Sequence, residues 1–129
     1  TRTSTGEFGD KASIQLAKTL VESESTVDSA KNFEEIRVSS PVSSGTSESA
    51  ACAAVQTSLD MKLQLIIVLT ESGNAARLVA KYRPNAIIYA CSFQSLIIRQ
   101  LQCVRGLTCH QLGAQHEDLS SDEIVQVMV

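Results

Sequence analysis

A run of seven residues, six of them apolar, constrains the fold of this chain more than any other feature. Residues 63–69 read Leu-Gln-Leu-Ile-Ile-Val-Leu, with Gln64 as the single polar side chain. A short and nearly continuous apolar run is typical of a strand that is buried on both faces of a parallel sheet. The run is far shorter than the ~18 apolar residues that a membrane-spanning helix needs. It therefore predicts an α/β fold and argues against a membrane as a partner.

Strand and helix patterns alternate after this run. Two further strands are predicted over residues 86–91 and 107–112, and apolar residues spaced three and four apart predict a helix before each of them. Pro84 ends the first of these helices and Gly106 ends the second. Strands that alternate with helices in this way form right-handed crossovers and a parallel sheet. We therefore expect a three-layer α/β/α fold with a small, mainly parallel sheet.

The residues before the first strand have a different pattern. Apolar spacing predicts a helix over residues 10–26, with Asp10 at its N-cap, and a second helix from Ser29 with Phe33 and Ile36 turned inward. The next stretch is rich in serine, which is typical of a linker. We therefore divide the chain into leading helices over residues 1–37, a linker over 38–49 and an α/β domain over 50–129.

An alanine-rich helix opens the predicted α/β domain. Ser47 or Thr46 is suited to cap it, because hydroxyl side chains accept hydrogen bonds from the first amides of a helix. Its packed stripe is predicted to comprise Ala50, Ala51, Ala54, Val55 and Leu59. Side chains this small imply that a neighbouring element approaches closely.

Charge and cysteine content exclude several classes of protein. Fourteen acidic and eleven basic residues give a net charge of −3 without a basic cluster, so nucleic acid is not an expected partner. The cysteines include no Cys-x-x-Cys pair, which favours reduced thiols in a cytoplasmic protein.

The remaining candidate metal ligands are Cys103, Cys109, His110 and His116. Their spacing matches no recurrent zinc pattern. Neither histidine has a Ser or Cys partner at motif spacing, so we expect no metal site and no catalytic residues.

One segment resembles a known family. Residues 67–84 read Ile-Val-Leu-Thr-Glu-Ser-Gly-Asn-Ala-Ala-Arg-Leu-Val-Ala-Lys-Tyr-Arg-Pro, a strand-to-helix turn followed at a fixed distance by Tyr-Arg-Pro. This pattern resembles the C-terminal regulatory domain of the pyruvate kinase family. The likeness continues downstream to Arg99-Gln100 and Arg105-Gly106. Upstream it includes Phe33-Glu34-Glu35-Ile36 and a helix with Gly6, Phe8, Ala12, Leu16, Ala17 and Glu24.

The resemblance implies a regulatory or assembly module that is not catalytic by itself. Its expected partner is a protein, either a second copy of this chain or a pyruvate kinase-like neighbour. The family's catalytic barrel has no counterpart in these residues, so no cofactor is expected in this chain. Magnesium and potassium are implied for the full-length enzyme, which transfers a phosphoryl group from phosphoenolpyruvate to ADP. The family continues past its last helix with two more strands and a glycine-rich effector loop. We therefore expect a sheet that is incomplete at its C-terminal end, with an open edge that makes the chain marginally stable and prone to self-association.

The resemblance also points to a binding site at the turn after the first strand. Backbone amides at a helix start have no intrahelical partner and favour an anion, and in the family this turn looks like the cradle for a sugar-phosphate activator. Glu71 opposes an anion there, and Ala75 lacks a hydroxyl donor. Alternatively, Ser72 caps the helix and Gly73 relaxes the turn. The candidate residues for an effector or phosphate are Thr70, Glu71, Ser72, Gly73, Asn74 and Ala75.

Three basic residues follow this turn and allow two interpretations. Arg77, Lys81 and Arg83 could form a basic rim around a phosphate, or they could be solvated and stabilise the C-terminal end of the helix. Two rivals to the regulatory module also stay open. One is a standalone domain that binds a small ligand or phosphate at the carboxyl ends of the strands. The other is a degenerate product without a binding role.

Overall fold

A computed structural model describes residues 8–40, 45–113 and Glu123. Two helices come first, α1 (Gly9–Glu24) and α2 (Ser29–Ser39), and then α3 (Thr46–Asp60) precedes the sheet. The remaining elements alternate as the sequence predicts: β1 (Leu65–Leu69), α4 (Asn74–Lys81), β2 (Ile87–Ser92), α5 (Ser95–Leu101) and β3 (Leu107–Gln111).

The three strands form one parallel sheet in the order β1-β2-β3. Ile88 of β2 lies between Ile66 of β1 and Leu107 of β3, and Ala90 lies between Val68 and Cys109. The prediction of an α/β fold with a small parallel sheet is confirmed. Because the strands follow the order of the sequence, α4 and α5 each connect neighbouring strands.

The main core lies between the sheet and helices α3, α4 and α5. Side chains of alternate strand residues, such as Ile88 and Ala90, point to this side and are almost completely buried. They pack in two adjoining clusters with buried helix residues, among them Val55, Val79 and Leu101. This core is almost entirely aliphatic, since Phe33 and Tyr82 are its two aromatic members.

The opposite face of the sheet is much less covered. Leu65 is 48% exposed and Ile87 is 58% exposed, although both lie in strands. Within residues 8–40 and 45–113, the apolar run that predicted burial on both faces is fully buried on neither face. Ile66 and Val68 on the helix side are half-buried, and so is Ile67 on the opposite face. Tyr89 and His110 stack on the open face with ring centroids 6.0 Å apart. At the end of β2 the same face is closed again, because Cys91 is buried against Leu112 and Phe93.

The alanine-rich helix α3 packs against α4, as its small side chains predict. Ala51 and Val55 are buried in the same cluster as Val79 and Ala80 of α4. The predicted stripe is wrong at Ala50 and Ala54, which are exposed, and Ser58 is buried instead. The predicted caps are also wrong, because Gly45 occupies the N-cap and the helix begins at Thr46.

The two leading helices, α1 and α2, differ in how they pack against the rest of the described chain. In α2, Phe33 is buried against the ring of Tyr82, with centroids 5.5 Å apart, and Ile36 is half-buried. Asp28 caps this helix by accepting hydrogen bonds from the amides of Ala30 and Lys31. Helix α1 buries no side chain, and Asp10 lies in its first turn behind the N-cap residue Phe8. The division of the chain at residues 38–49 stays a prediction.

Candidate functional site

The predicted binding turn lies at the carboxyl end of β1, where the chain enters α4. Thr70 is buried, and its backbone amide donates to the carbonyl of Cys91 at 2.9 Å, which ties the turn to β2. Glu71, Ser72 and Asn74 are exposed. The turn is therefore a solvent-facing loop on a rigid base, at the edge of a parallel sheet where ligands commonly bind.

The two hydroxyl groups of the turn are directed at its own backbone. Thr70 Oγ1 accepts a hydrogen bond from the amide of Gly73 at 3.0 Å, and Ser72 Oγ accepts one from the amide of Asn74 at 3.4 Å. The N-cap of α4 is Gly73, so the alternative in which Ser72 caps the helix is wrong, and the two hydroxyl groups order the turn before the helix instead. The next amides into the helix, those of Ala75 and Ala76, are the ones left to attract an anion.

Gly73 is fixed by both its backbone and its surroundings. Its φ of +79° lies in the left-handed region, which a residue with a Cβ atom adopts at a cost. A Cβ atom there would lie 3.1 Å from Ile97 Cγ2 and 3.2 Å from Leu101 Cδ2. The turn therefore packs directly on α5, and glycine is required at this position for two independent reasons.

The basic residues that follow the turn do not form a rim around it. Lys81 lies at the far end of α4, whose eight residues span about 12 Å, and its Nζ atom donates to Glu48 of α3 at 2.6 Å. Arg83 comes two residues later, and Arg77 Nη2 donates to Gln100 at 3.5 Å. The phosphate-rim interpretation is therefore not supported for Lys81 and Arg83, because both lie at the opposite end of the helix.

Glu48 instead joins α3 to the C-terminal end of α4. Its Oε1 atom accepts hydrogen bonds from Lys81 and, at 2.8 Å, from the hydroxyl of Tyr82. These bonds from Lys81 and then Tyr82 hold the pKa of Glu48 below its ordinary value. Burial, with the bond to Glu48, raises the pKa of Tyr82 to about 12.

We expect these groups to make the fold sensitive to alkaline pH. Burial also raises the pKa of Cys91 to about 11, and both protonated forms are favoured by folding. A group with a raised folded pKa stabilises the fold below its unfolded pKa, and this stabilisation is lost as pH rises through the folded value. The melting temperature should therefore fall between about pH 9 and pH 12. Thermal melts of Tyr82→Phe should show a shallower fall than those of the parent chain. Equal slopes for the two would contradict the assignment.

The metal and nucleophile candidates that lie in the described residues do not form a site. Across the described part of the chain, no group of three or more His, Cys, Asp and Glu side chains could hold a metal ion. His116 lies outside the described residues. Cys109 faces the helix-side core, whereas its neighbour His110 stacks on Tyr89 on the other face. Burial raises the pKa of Cys109, which disfavours the reactive thiolate.

Sequence reasoning missed the Glu48–Lys81 ion pair and a second ion pair near the start of β3. Arg105 donates to Glu24 Oε1 through Nε at 2.9 Å, and its Nη2 lies 2.8 Å from the same oxygen. The two residues are 81 positions apart, so no local pattern could join them. None of the helices in the described segments combines the length and the apolar content needed to cross a membrane.

Comparisons with known proteins agree with this architecture. Residues 48–129 match the family model described as the pyruvate kinase alpha/beta domain. Pyruvate kinase from Eimeria tenella is 37% identical over 82% of this chain and 20% of its own length. The cytosolic isozyme from Nicotiana tabacum is 44% identical over 64% of this chain and 16% of its own length.

Comparison of the fold with solved structures also identifies pyruvate kinase as a relative. A crystal structure of Cryptosporidium parvum pyruvate kinase superposes with a TM-score of 0.84 at 31% identity, covering 98% of this chain and 25% of that one. The chain thus spans between about a sixth and a quarter of the length of these relatives. With the sequence match and the parallel sheet in agreement, the chain belongs to the pyruvate kinase family and carries its C-terminal alpha/beta domain.

Proposed function

We propose that this chain is the regulatory and assembly domain of a cytoplasmic pyruvate kinase. The observation that carries the proposal is the family match over residues 48–129. In the whole enzyme a phosphoryl group would pass from phosphoenolpyruvate to ADP, with magnesium and potassium bound in the catalytic barrel. That chemistry needs metal ions and a cradle for the transferred group. The chain alone is not expected to perform it. A standalone ligand-binding domain is less favoured, because every relative cited above is a much longer pyruvate kinase.

The regulatory part of the proposal concerns the turn over residues 70–75. Its amides at the start of α4 and its place at the carboxyl edge of the sheet both suit a phosphate group. The exposed carboxylate of Glu71 opposes such a ligand. We therefore infer a weak site for a sugar phosphate, in which Glu71 limits the affinity.

Glu71→Lys is expected to strengthen the binding of fructose bisphosphate. Exchanging a repelling carboxylate for an ammonium group beside a phosphate is worth about 1–3 kcal/mol in a partly enclosed site, or about five- to 150-fold in affinity. Calorimetry on both forms of the chain measures this. The matched control is Glu35→Lys, because Glu35 is also an exposed carboxylate but lies on α2. Equal affinities for the parent chain and the Glu71 variant would reject the turn as the effector site.

The assembly part of the proposal concerns the open face and edges of the sheet. Leu65 and Ile87 are side by side in neighbouring strands and are both about half exposed. β1 and β3 are the outer strands of the sheet that residues 8–40 and 45–113 form. An apolar face bordered by strand edges is a template for pairing with another chain, and we propose a second copy as the partner.

Self-association should therefore depend on concentration and on Ile87. Sedimentation at several concentrations is expected to show oligomers for the parent chain, and Ile87→Lys should shift the distribution toward the monomer. Lysine is suited to this test because a charge on an exposed sheet face discourages edge and face pairing. Val38→Lys is the matched control, since Val38 is 73% exposed on α2 and away from the sheet. A monomer at all concentrations would contradict the proposal.

A further inference from the structure

Four basic side chains gather around one groove at the C-terminal end of α4. The groove has a volume of about 320 Å³, and its lining comprises Arg77, Ala80, Lys81, Arg83, Val104 and Arg105. Among residues 8–40 and 45–113, no acidic residue lines it. The sequence shows no basic cluster because Arg105 comes from the loop before β3, more than twenty positions after Arg83. The fold therefore creates a local excess of positive charge in a chain whose net charge is −3.

Two of these four charges are only partly neutralised by their partners. Glu48 pairs with Lys81, and Glu24 binds Arg105 through Nε and Nη2. A guanidinium group has five donor hydrogens, so Arg105 keeps donors on Nη1. Arg83 has no ion pair with the residues described, and Arg77 contacts the neutral amide of Gln100. Within the described part of the chain, the charges of Arg77 and Arg83 thus line the groove without an ion-pair partner.

The backbone of Arg83 supplies a second observation. Its φ of +50° is left-handed, at the position just after the C-cap Tyr82. Helices usually place glycine there, because other residues pay about 1–2 kcal/mol for this conformation. Arginine is therefore an unfavourable residue for this backbone conformation. Lys62 has the same conformation just after the C-cap of α3, so the backbone of Arg83 is consistent with a role for its guanidinium group but does not establish one.

A second cavity borders the same two arginines. It has a volume of about 400 Å³ and lies between the segment joining α1 to α2 and the first residues of β2 and β3. Arg83 and Arg105 line both cavities. The second cavity is also lined by the neutral polar residues Asn85 and Thr108 and by Glu24, the carboxylate that pairs with Arg105. The two arginines thus form the boundary between two spaces that are each large enough for a small ligand.

We propose that Arg83 and Arg105, assisted by Arg77 and Lys81, bind a small, multiply charged anion that carries phosphate or carboxylate groups. Guanidinium groups bind these oxygens through paired, charge-assisted hydrogen bonds, and two of them on one groove suit a ligand with two anionic groups. The site lies at the amino-terminal edge of the sheet. It is therefore separate from the turn over residues 70–75 and does not depend on a ligand binding there.

Titration of the whole chain with inorganic pyrophosphate at low ionic strength tests the proposal. Amide signals of residues 83 and 104–108 should shift in NMR spectra, and calorimetry gives the affinity. Arg83→Gln should lower this affinity about tenfold, because it removes one charge-assisted interaction. The Arg83 side chain makes no hydrogen bond or ion pair with the described residues, so the substitution removes no such bond from the fold. Arg99→Gln is the matched control, since Arg99 lines neither cavity.

A variant with the opposite expected effect makes the test sharper. Glu24→Gln frees Arg105 from its carboxylate and should raise the affinity severalfold, whereas Glu22→Gln on the same helix should leave it unchanged. Undiminished binding by Arg83→Gln, or no shift near Arg83 and Arg105 at low salt, would overturn the proposal. Shifts confined to residues 71–76 would also overturn it, and they would support the turn as the anion site instead.

Discussion

Replacing Leu101 by alanine is expected to cost about 3–5 kcal/mol of unfolding free energy. Leu101 is completely buried, and it packs in one cluster with Ala76 of α4 and Ala90 of β2. The alanines around it cannot expand to fill the space, so the substitution leaves a cavity in addition to the lost burial. Small domains are stable by about 5–15 kcal/mol in total, so the variant should approach the limit of folding. Urea unfolding followed by circular dichroism measures the change.

Leu96→Ala provides the matched control for this experiment. Leu96 lies on the same helix, but it is 56% exposed and belongs to none of the core clusters. Truncation there should cost less than about 1 kcal/mol, since surface changes away from special features have small effects. Similar losses for the two leucines would mean that α5 does not pack on the sheet through Leu101.

Gly73→Val is expected to cost about 2–5 kcal/mol and to distort the turn over residues 70–75. A valine at a φ of +79° pays about 1–2 kcal/mol for the left-handed backbone. Its Cβ atom would also press on Ile97 and Leu101, and overpacking of this kind costs about 1–3 kcal/mol more. Any binding of fructose bisphosphate at the turn should be lost together with the stability. Thermal melts and calorimetry on the same sample measure both effects.

Gly106→Val separates the two causes. Gly106 has a φ of +81°, so it pays the same backbone cost, but a Cβ atom built on it meets nothing within 4 Å. The expected loss is therefore only about 1–2 kcal/mol. If both variants lose the same amount, the backbone conformation explains the whole effect and the contact of Gly73 with α5 contributes nothing.

The alternation of strands and helices was predictable because each element carries its own local signal. The apolar run in β1, Pro84 after α4 and Gly106 before β3 each mark an element or its end from a few neighbouring residues. Parallel pairing followed from the helices between the strands. These features define the class of the fold without any knowledge of long-range contacts.

The arrangement of the site depended on contacts that no local pattern contains. Glu48 binds Lys81 and Tyr82 across more than thirty residues, and Arg105 binds Glu24 across 81. Lys81 is close to the turn in sequence, which is why it was a candidate for the phosphate rim. In the structure it lies at the C-terminal end of α4, away from the turn. Burial of Thr70, and its bond to the amide of Gly73, likewise required the tertiary structure. Whether residues 70–75 bind a phosphate stays a prediction.

The exposed surface of α1 has a consequence for how the chain unfolds. None of its side chains is buried, and the ion pair that ties its last turn to Arg105 is about half exposed at both ends. Such a pair contributes about 0–1 kcal/mol, far less than the aliphatic core contributes to the sheet. The free energy needed to unfold α1 locally should therefore be much smaller than that needed to unfold the sheet. Its amide hydrogens should exchange through this local unfolding. Unfolding of this chain is then not a single cooperative transition, and one free energy describes the sheet with α3, α4 and α5 but not the leading helix.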